Sequence, residues 1–356
     1  MRERGLAPEL LIWPWELGSN LRQWLSRQAV GRSPAERVEV AFNQLLASGG
    51  RALQYDDRVT GTADEVFASG RANCLGFTLL FVGLARELGV EAGFFRVDRG
   101  QSYRREGDLI FVSEHITGGY EVGGEERLIE FTLGPEVDYR RVREISDLSA
   151  MALFYSNRGA EALRSGDAGE AVRWLEVAVR LDETEASAWS NLGVARRRLG
   201  ELEPAEAVYR RAIELDPDHL AAYINLAGVL RLRGESDAAR QIVRLLDRGD
   251  NRNPYAYLAL GDASLEEGRL DDARRYYRRA VRLSRRDAEP RAAMGLWALS
   301  NGDPRSARRW LRRARRIDQL EQRTMQLEQR LNEHSRAPGA AAAAGGPEPS
   351  NREVES

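Results

Sequence analysis

Glycine recurs every 34 residues through the second half of the chain, at Gly166, Gly200, Gly234, Gly268 and Gly302. Alanine follows five residues behind it in the same step, at Ala171, Ala205, Ala239, Ala273 and Ala307. A second small position falls at Gly159, Gly193, Ala227, Gly261 and Gly295, and a third at Ala178, Ala212, Leu246, Ala280 and Ala314. A period of this length belongs to a supersecondary unit that is closed and started again, each copy burying its apolar face against the next. Small residues at these offsets let two antiparallel helices approach closely, so the unit is a helix–turn–helix.

The pattern resembles five tetratricopeptide (TPR) repeats over residues 152–319. The second repeat is nearest to the family, with Asn191-Leu192-Gly193, Tyr209, Ala212 and Pro217; the third departs most, with Ala227 and Leu246 at small-residue positions. The resemblance implies an all-α solenoid that binds a protein or peptide in its groove. Asn157, Asn191 and Asn225 share one offset on successive first helices, and in TPR arrays that offset faces the groove, where amides can bond a peptide backbone. Helix-start and packing preference is the alternative reading. Ser156 and Ala160 stand where carboxylate-clamp TPRs are basic, which argues against that mode of capture.

After the last repeat, Ile317, Leu320, Leu327 and Leu331 follow an a/d-like spacing, which predicts a capping helix over 320–336. Residues 337–356 are low in complexity and expected to be disordered.

Residues 1–150 lack the period. Residues 1–32 form an aromatic-rich segment, with Trp13, Trp15 and Trp24, expected to pack across the following domain or its seam with the repeats; a docking motif is the alternative. A capping box at Ser33–Glu36 opens a helix that stops at Gly49-Gly50, and a second box at Thr62–Glu65 opens a short helix ending near Gly70. Asn73 is placed to cap a third helix, Cys74 to Leu88, apolar almost all round and so the buried spine. Strand-like segments follow at 93–97, 108–116, 120–122 and 127–133. Helices followed by strands predict an α+β domain with an antiparallel sheet over 33–150.

This domain holds one cysteine and one histidine. A thiol on the first turn of a helix meets free backbone N–H groups and the positive end of the helix dipole, which favours the thiolate. Strand and loop lengths can bring Glu130 beside His115, where a carboxylate would orient the imidazole. The stretches 71–90, 114–122 and 127–135 resemble the transglutaminase-like branch of the papain-like superfamily: a cysteine helix, a histidine strand and an acid strand. That resemblance implies Cys74 as nucleophile, His115 as base and Glu130 as orienting acid. Glutamate stands where the family usually has aspartate, and a displacement near 1 Å can cost about 10²-fold in rate.

Composition narrows the rest. The chain carries 53 cationic residues, all arginine, against 55 acidic ones. That balance gives no default for nucleic acid, the arginine stretches of the late second helices read as a solvated face rather than a nucleic-acid stripe, and no nucleic-acid partner is expected. One cysteine excludes a disulfide framework or a CxxC site, and three scattered histidines leave no metal centre. No cofactor is expected. No apolar run is long enough to span a membrane, and the start lacks a signal peptide, so the chain reads as cytoplasmic, or as exported or a lipoprotein if its start lies upstream. Two functions stand open. One is cysteine-dependent acyl transfer or amide hydrolysis, with repeats recruiting the substrate; the other is a non-catalytic TPR adaptor on an inactive platform.

Overall fold

The computed structural model describes residues 5–28, 33–46, 53–106, 109–122, 124–129, 141–247 and 252–336. The chain forms two compact units, Met1–Glu235 and Ser236–Ser356.

In the first unit, α1 (Ser19–Gln28) and α2 (Pro34–Leu46) lead into β1 (Gln54–Tyr55), α3 (Ala63–Ser69) and β2 (Arg71–Ala72). Ser33 and Glu36 exchange the two hydrogen bonds of a capping box at the start of α2. Thr62 and Glu65 do the same at α3, which Gly70 closes at φ +69°. Next comes α4 (Cys74–Glu87), buried almost throughout from Leu75 to Ala85. The sheet consists of β3 (Ala92–Glu106), β4 (Leu109–Val122), β5 (Glu125–Leu128) and β6 (Arg141–Ile145), antiparallel in the order β5-β4-β3-β6.

The strands expected at 108–116 and 120–122 fall, from Leu109 on, in one strand, Leu109–Val122, rather than two. The Gly118-Gly119 pair between them reads as a turn, but it serves the packing of an unbroken strand. A Cβ on Gly118 would stand 2.6 Å from the Phe81 ring of α4, and one on Gly119 would stand 2.6 Å from the Phe95 ring of β3. The two glycines thus let aromatic rings close on both faces of β4.

The amino-terminal segment packs across this region. The Trp15 ring lies 5.3 Å from Phe94, its carbonyl closes on Gly83 of α4, and the Trp24 ring lies 5.4 Å from Phe67. The Ile12 amide donates to the Tyr155 hydroxyl at 2.7 Å, tying the segment to the first repeat helix.

The repeat helices of this unit are α5 (Asp147–Ser165), α6 (Ala168–Leu181), α7 (Ala186–Arg198), α8 (Leu202–Leu215) and α9 (Leu220–Leu232). Helix α5 starts five residues ahead of the repeat expected from the sequence. Ser146 caps it, and Asp147 takes a two-pronged ion pair from Arg86 of α4, with both contacts at 2.8 Å. The 34-residue glycines sit where each first helix ends or turns, at φ between +73° and +89°, where a side chain would be strained. The second glycine series makes room for large partners, with Leu175 seated on Gly159 and Tyr209 on Gly193.

The second unit contains α10 (Ser236–Arg244), α11 (Pro254–Glu266), α12 (Leu270–Leu283), α13 (Glu289–Ser300), α14 (Pro304–Arg315) and α15 (Gln322–Arg336). Tyr277 fills the seat on Gly261, but the seat on Gly295 goes to Leu327 of the terminal helix. Leu327 and Leu331 are buried with Leu296, Ala298 and Ala307, as a cap requires. Ile317 and Leu320 precede α15 and are exposed, so the expected apolar row contributes only its second half. Two polar contacts complete the attachment: Arg323 reaches both oxygens of Asp262, at 2.8 and 2.9 Å, and lies 3.5 Å from Glu289. Burial opposes the charge on Arg323, yet these carboxylates raise its pKa above the usual guanidinium value.

Candidate functional site

Cys74 opens α4 and is half-buried. Asn73 caps the helix as expected: its side-chain oxygen accepts from the Gly76 amide at 3.0 Å, and its amide nitrogen donates to the Thr60 hydroxyl at 2.6 Å. The Thr60 backbone N–H in turn donates to Glu161 of α5 at 2.6 Å, and Arg158 of α5 reaches the Thr60 carbonyl at 3.4 Å. Burial pushes the Glu161 carboxyl above the ordinary range, with the Thr60 amide and Arg158 pulling the other way. The cap of the cysteine helix is therefore joined to the first repeat through Thr60. Sequence reasoning missed Thr60, Arg158 and Glu161, because a link between residues about 100 apart leaves no local signal.

Cys74, Thr78 and Phe81 follow one another at four and three residues, on one face of α4. The Thr78 hydroxyl shares its one proton between the Cys74 carbonyl at 2.8 Å and the Ile116 carbonyl at 3.2 Å, while Phe81 covers Gly118 and lies 5.8 Å from the Tyr120 ring. The face that carries Cys74 therefore runs along β4 towards its His115 end. His115 is half-buried and pairs with Val97 at the last regular position before the register of β3 and β4 shifts. The pleat puts its Cβ on the side of Thr117 and Gly119, opposite Ile116, Gly118 and Tyr120, which lie under α4. The fold brings the cysteine helix and the histidine strand together, and it gives the ring a starting direction away from the helix. Glu130, the expected acid, lies outside the described residues.

Asn157, Asn191 and Asn225 stand on α5, α7 and α9, and these first helices pack side by side. All three are half-buried, and the Asn191 amide reaches the Ser156 hydroxyl of the preceding first helix at 3.3 Å. The same offset in the second unit holds Ala259 and Ala293, both buried. The amide row thus belongs to the first unit alone.

A polar cavity of about 680 Å³ lies where β3 and β6 meet the turns after α6 and α8, lined among others by Arg96, Asp182, Glu185, Asp216 and His219. Arg96 pairs with Glu185 at 2.6 Å inside it. Burial lowers the pKa of His219, against the pull of Asp216 and Glu185. Among the described residues, no group of three or more His, Cys, Asp or Glu side chains could hold a metal ion, and no helix is long and apolar enough to cross a membrane.

The tetratricopeptide repeat family matches residues 152–176, 186–219, 205–263 and 254–287. Residues 152–287 are TPR repeats. These family matches cover the helix pairs up to α12; they include neither the α13–α14 pair nor the first 150 residues. Among solved structures, PilF of Pseudomonas aeruginosa is 21% identical and covers 53% of this chain and 86% of its own, with a TM-score of 0.45. A thermophilic TPR protein of Thermus thermophilus is 19% identical over 51% of this chain and 97% of its own, with a TM-score of 0.44. MamA of Desulfovibrio magneticus is 21% identical over 48% of this chain and 97% of its own, with a TM-score of 0.38. No curated protein matches the chain. TPR repeats are protein-interaction modules, and that much of the function follows from the match.

Proposed function

We propose that the chain is a protein-binding adaptor whose TPR groove takes an extended peptide along Asn157, Asn191 and Asn225, with the α+β region as a folded platform. The observation that carries the reading is the side-by-side packing of α5, α7 and α9, which turns one repeated sequence offset into a row of half-buried amides. An amide offers a donor and an acceptor together, which suits a peptide backbone and leaves the side chains to be read elsewhere. The test is peptide display on the full chain, followed by titration of the selected peptides against the triple variant Asn157→Ala, Asn191→Ala, Asn225→Ala. Retention of full affinity by that variant would remove the groove from the proposal.

A second reading, a transglutaminase-like or papain-like thiol enzyme, is favoured by the capped, sheet-facing position of Cys74. In it, Cys74 attacks a carboxamide or peptide carbonyl, His115 takes the thiol proton and passes it to the leaving amine as the C–N bond breaks, Glu130 orients the ring, and water or an amine resolves the acyl-thioester. A thiol-reactive probe that labels Cys74 well below its usual pKa of about 8.5 would support this reading. Labelling only near that value leaves the platform without a nucleophile.

A further inference from the structure

The two units differ in charge as well as in surface. Residues 1–235 hold 29 arginines against 37 acids, and residues 236–356 hold 24 against 18. The formal charges are thus −8 and +6, within a chain whose total is −2.

The positive charge concentrates on the second helices. Helix α14 contains six arginines and no acid, and Arg316 follows at its end. Only Ala307 and Ala314 of α14 are buried; Arg305, Arg308, Arg309, Arg312 and Arg313 all face solvent. Arg305/Arg309, Arg308/Arg312, Arg309/Arg313 and Arg312/Arg316 are like-charged pairs four residues apart, each working against the helix. The solvated-face expectation relied on interspersed acids, and the structure places those acids to one side. In α12, Asp272 in the first turn is engaged by Arg269 and Arg275, while Arg278 and Arg282 further along have no carboxylate partner among the described residues. Of the α14 arginines, Arg315 pairs with Glu328 and Arg308 bonds the Ser335 hydroxyl. Arg305, Arg312 and Arg316 have no carboxylate partner among the described residues.

Two tryptophans hold part of this surface in place. The Arg313 guanidinium carbon lies 4.8 Å from the Trp310 ring centroid, and that of Arg274 lies 5.3 Å from Trp297. Stacking on a ring fixes a guanidinium plane and leaves its edge N–H groups available to an oxyanion.

We infer that α12 and α14 form a binding surface for the phosphate backbone of nucleic acid, used without base readout. From Arg305 to Arg316 the helix spans about 16 Å, which is several phosphates of a duplex. A polyanion with regularly spaced charge needs only such a row, and guanidinium groups bond phosphate oxygens in pairs. An acidic protein surface would need a matching shape as well, and these helices turn single exposed side chains outward. Strong charge asymmetry between two halves of a chain points the same way.

The test is fluorescence anisotropy of the full chain with a labelled duplex of about 30 base pairs, at salt from about 50 to 200 mM, where each phosphate contact adds about −0.9 to the log–log salt slope. The variant Arg305→Gln, Arg309→Gln, Arg312→Gln, Arg316→Gln should bind at least tenfold more weakly at low salt and lose up to about 3.6 units of slope. Its melting temperature should hold or rise, because the like-charged pairs are gone. The matching change on second helices of the first unit, Arg173→Gln, Arg180→Gln, Arg210→Gln, Arg211→Gln, should leave binding as it was. No binding at low salt, or an equal loss from both variants, overturns the inference. Displacement of the duplex by poly-glutamate at equal charge also overturns it and assigns the surface to an acidic protein.

Discussion

Repeats in the two units share a backbone and divide the surface chemistry. In the first unit the first helices carry Asn157, Asn191 and Asn225; in the second the same offset is closed by Ala259 and Ala293. The second helices reverse the emphasis: α6 and α8 mix charges, with Arg173 bonded to Glu170 and Arg210 to Glu206, while α14 holds arginines alone. The positions that build the repeat are common to both, namely the left-handed glycines and the buried alanines. A repeat fold thus separates what must recur, because it sets helix spacing, from what is free to vary, because it faces a partner or water.

The sharpest way to break the comparison is to remove the ion pairs that anchor the terminal helix in the second unit. Arg323→Ala leaves Asp262 and Glu289 without their cation in a largely buried place, and a loss of about 3–5 kcal/mol is expected. Hydrogen exchange should show protection lost in α13 to α15 and kept in α5 to α9. Equal loss in both units would show that the cap serves more than its own repeats.

The amide row comes next. The triple asparagine variant should weaken a selected peptide by about 2–3 kcal/mol, or roughly 30- to 150-fold, read by calorimetry, since each lost hydrogen bond is worth about 0.5–1.5 kcal/mol. The reverse change sharpens the contrast. Ala293→Asn puts an amide into a fully buried seat in the second unit and should cost about 1–3 kcal/mol with no gain in peptide affinity.

Smaller effects test the cysteine helix and the polar cavity. Asn73→Ala should cost about 1–2 kcal/mol, through the lost cap and the loosened Thr60 link, and should be visible in urea titration. His219 is held neutral by burial, with its folded pKa below the ordinary 6.5. Its contribution is therefore present above that value and lost as pH falls through the folded pKa. His219→Gln should flatten the fall in stability as pH drops below 6.5, measured by denaturation at each pH.

Local order was legible where one residue decides it. The glycines at φ near +80°, the caps at Thr62, Asn73 and Ser33, and the buried alanines all act within a few residues of themselves, so their signals survive in one dimension. The sheet was less legible. Gly118-Gly119 carries the same letters as a turn, and only the rings of Phe81 and Phe95, far away in the chain, make it part of a strand. Half of the expected apolar row before the cap proved irrelevant, because Ile317 and Leu320 precede the helix that buries Leu327 and Leu331.

The candidate sites divide in the same manner. Cys74 at a helix start and the three asparagines at one offset could be named from spacing alone. Whether the offset made a row depended on α5, α7 and α9 packing against one another, and the direction of His115 depended on the pleat beneath α4. The sequence by itself determined the period, the helix ends and the composition of each helix, since those follow from backbone conformation and local hydrogen bonding. Tertiary structure alone decided which carboxylates meet Arg323, which ring fills each glycine, and which arginines of α12 and α14 are left without acids. Those outcomes depend on distances between residues far apart in the chain, and spacing along a sequence does not encode them.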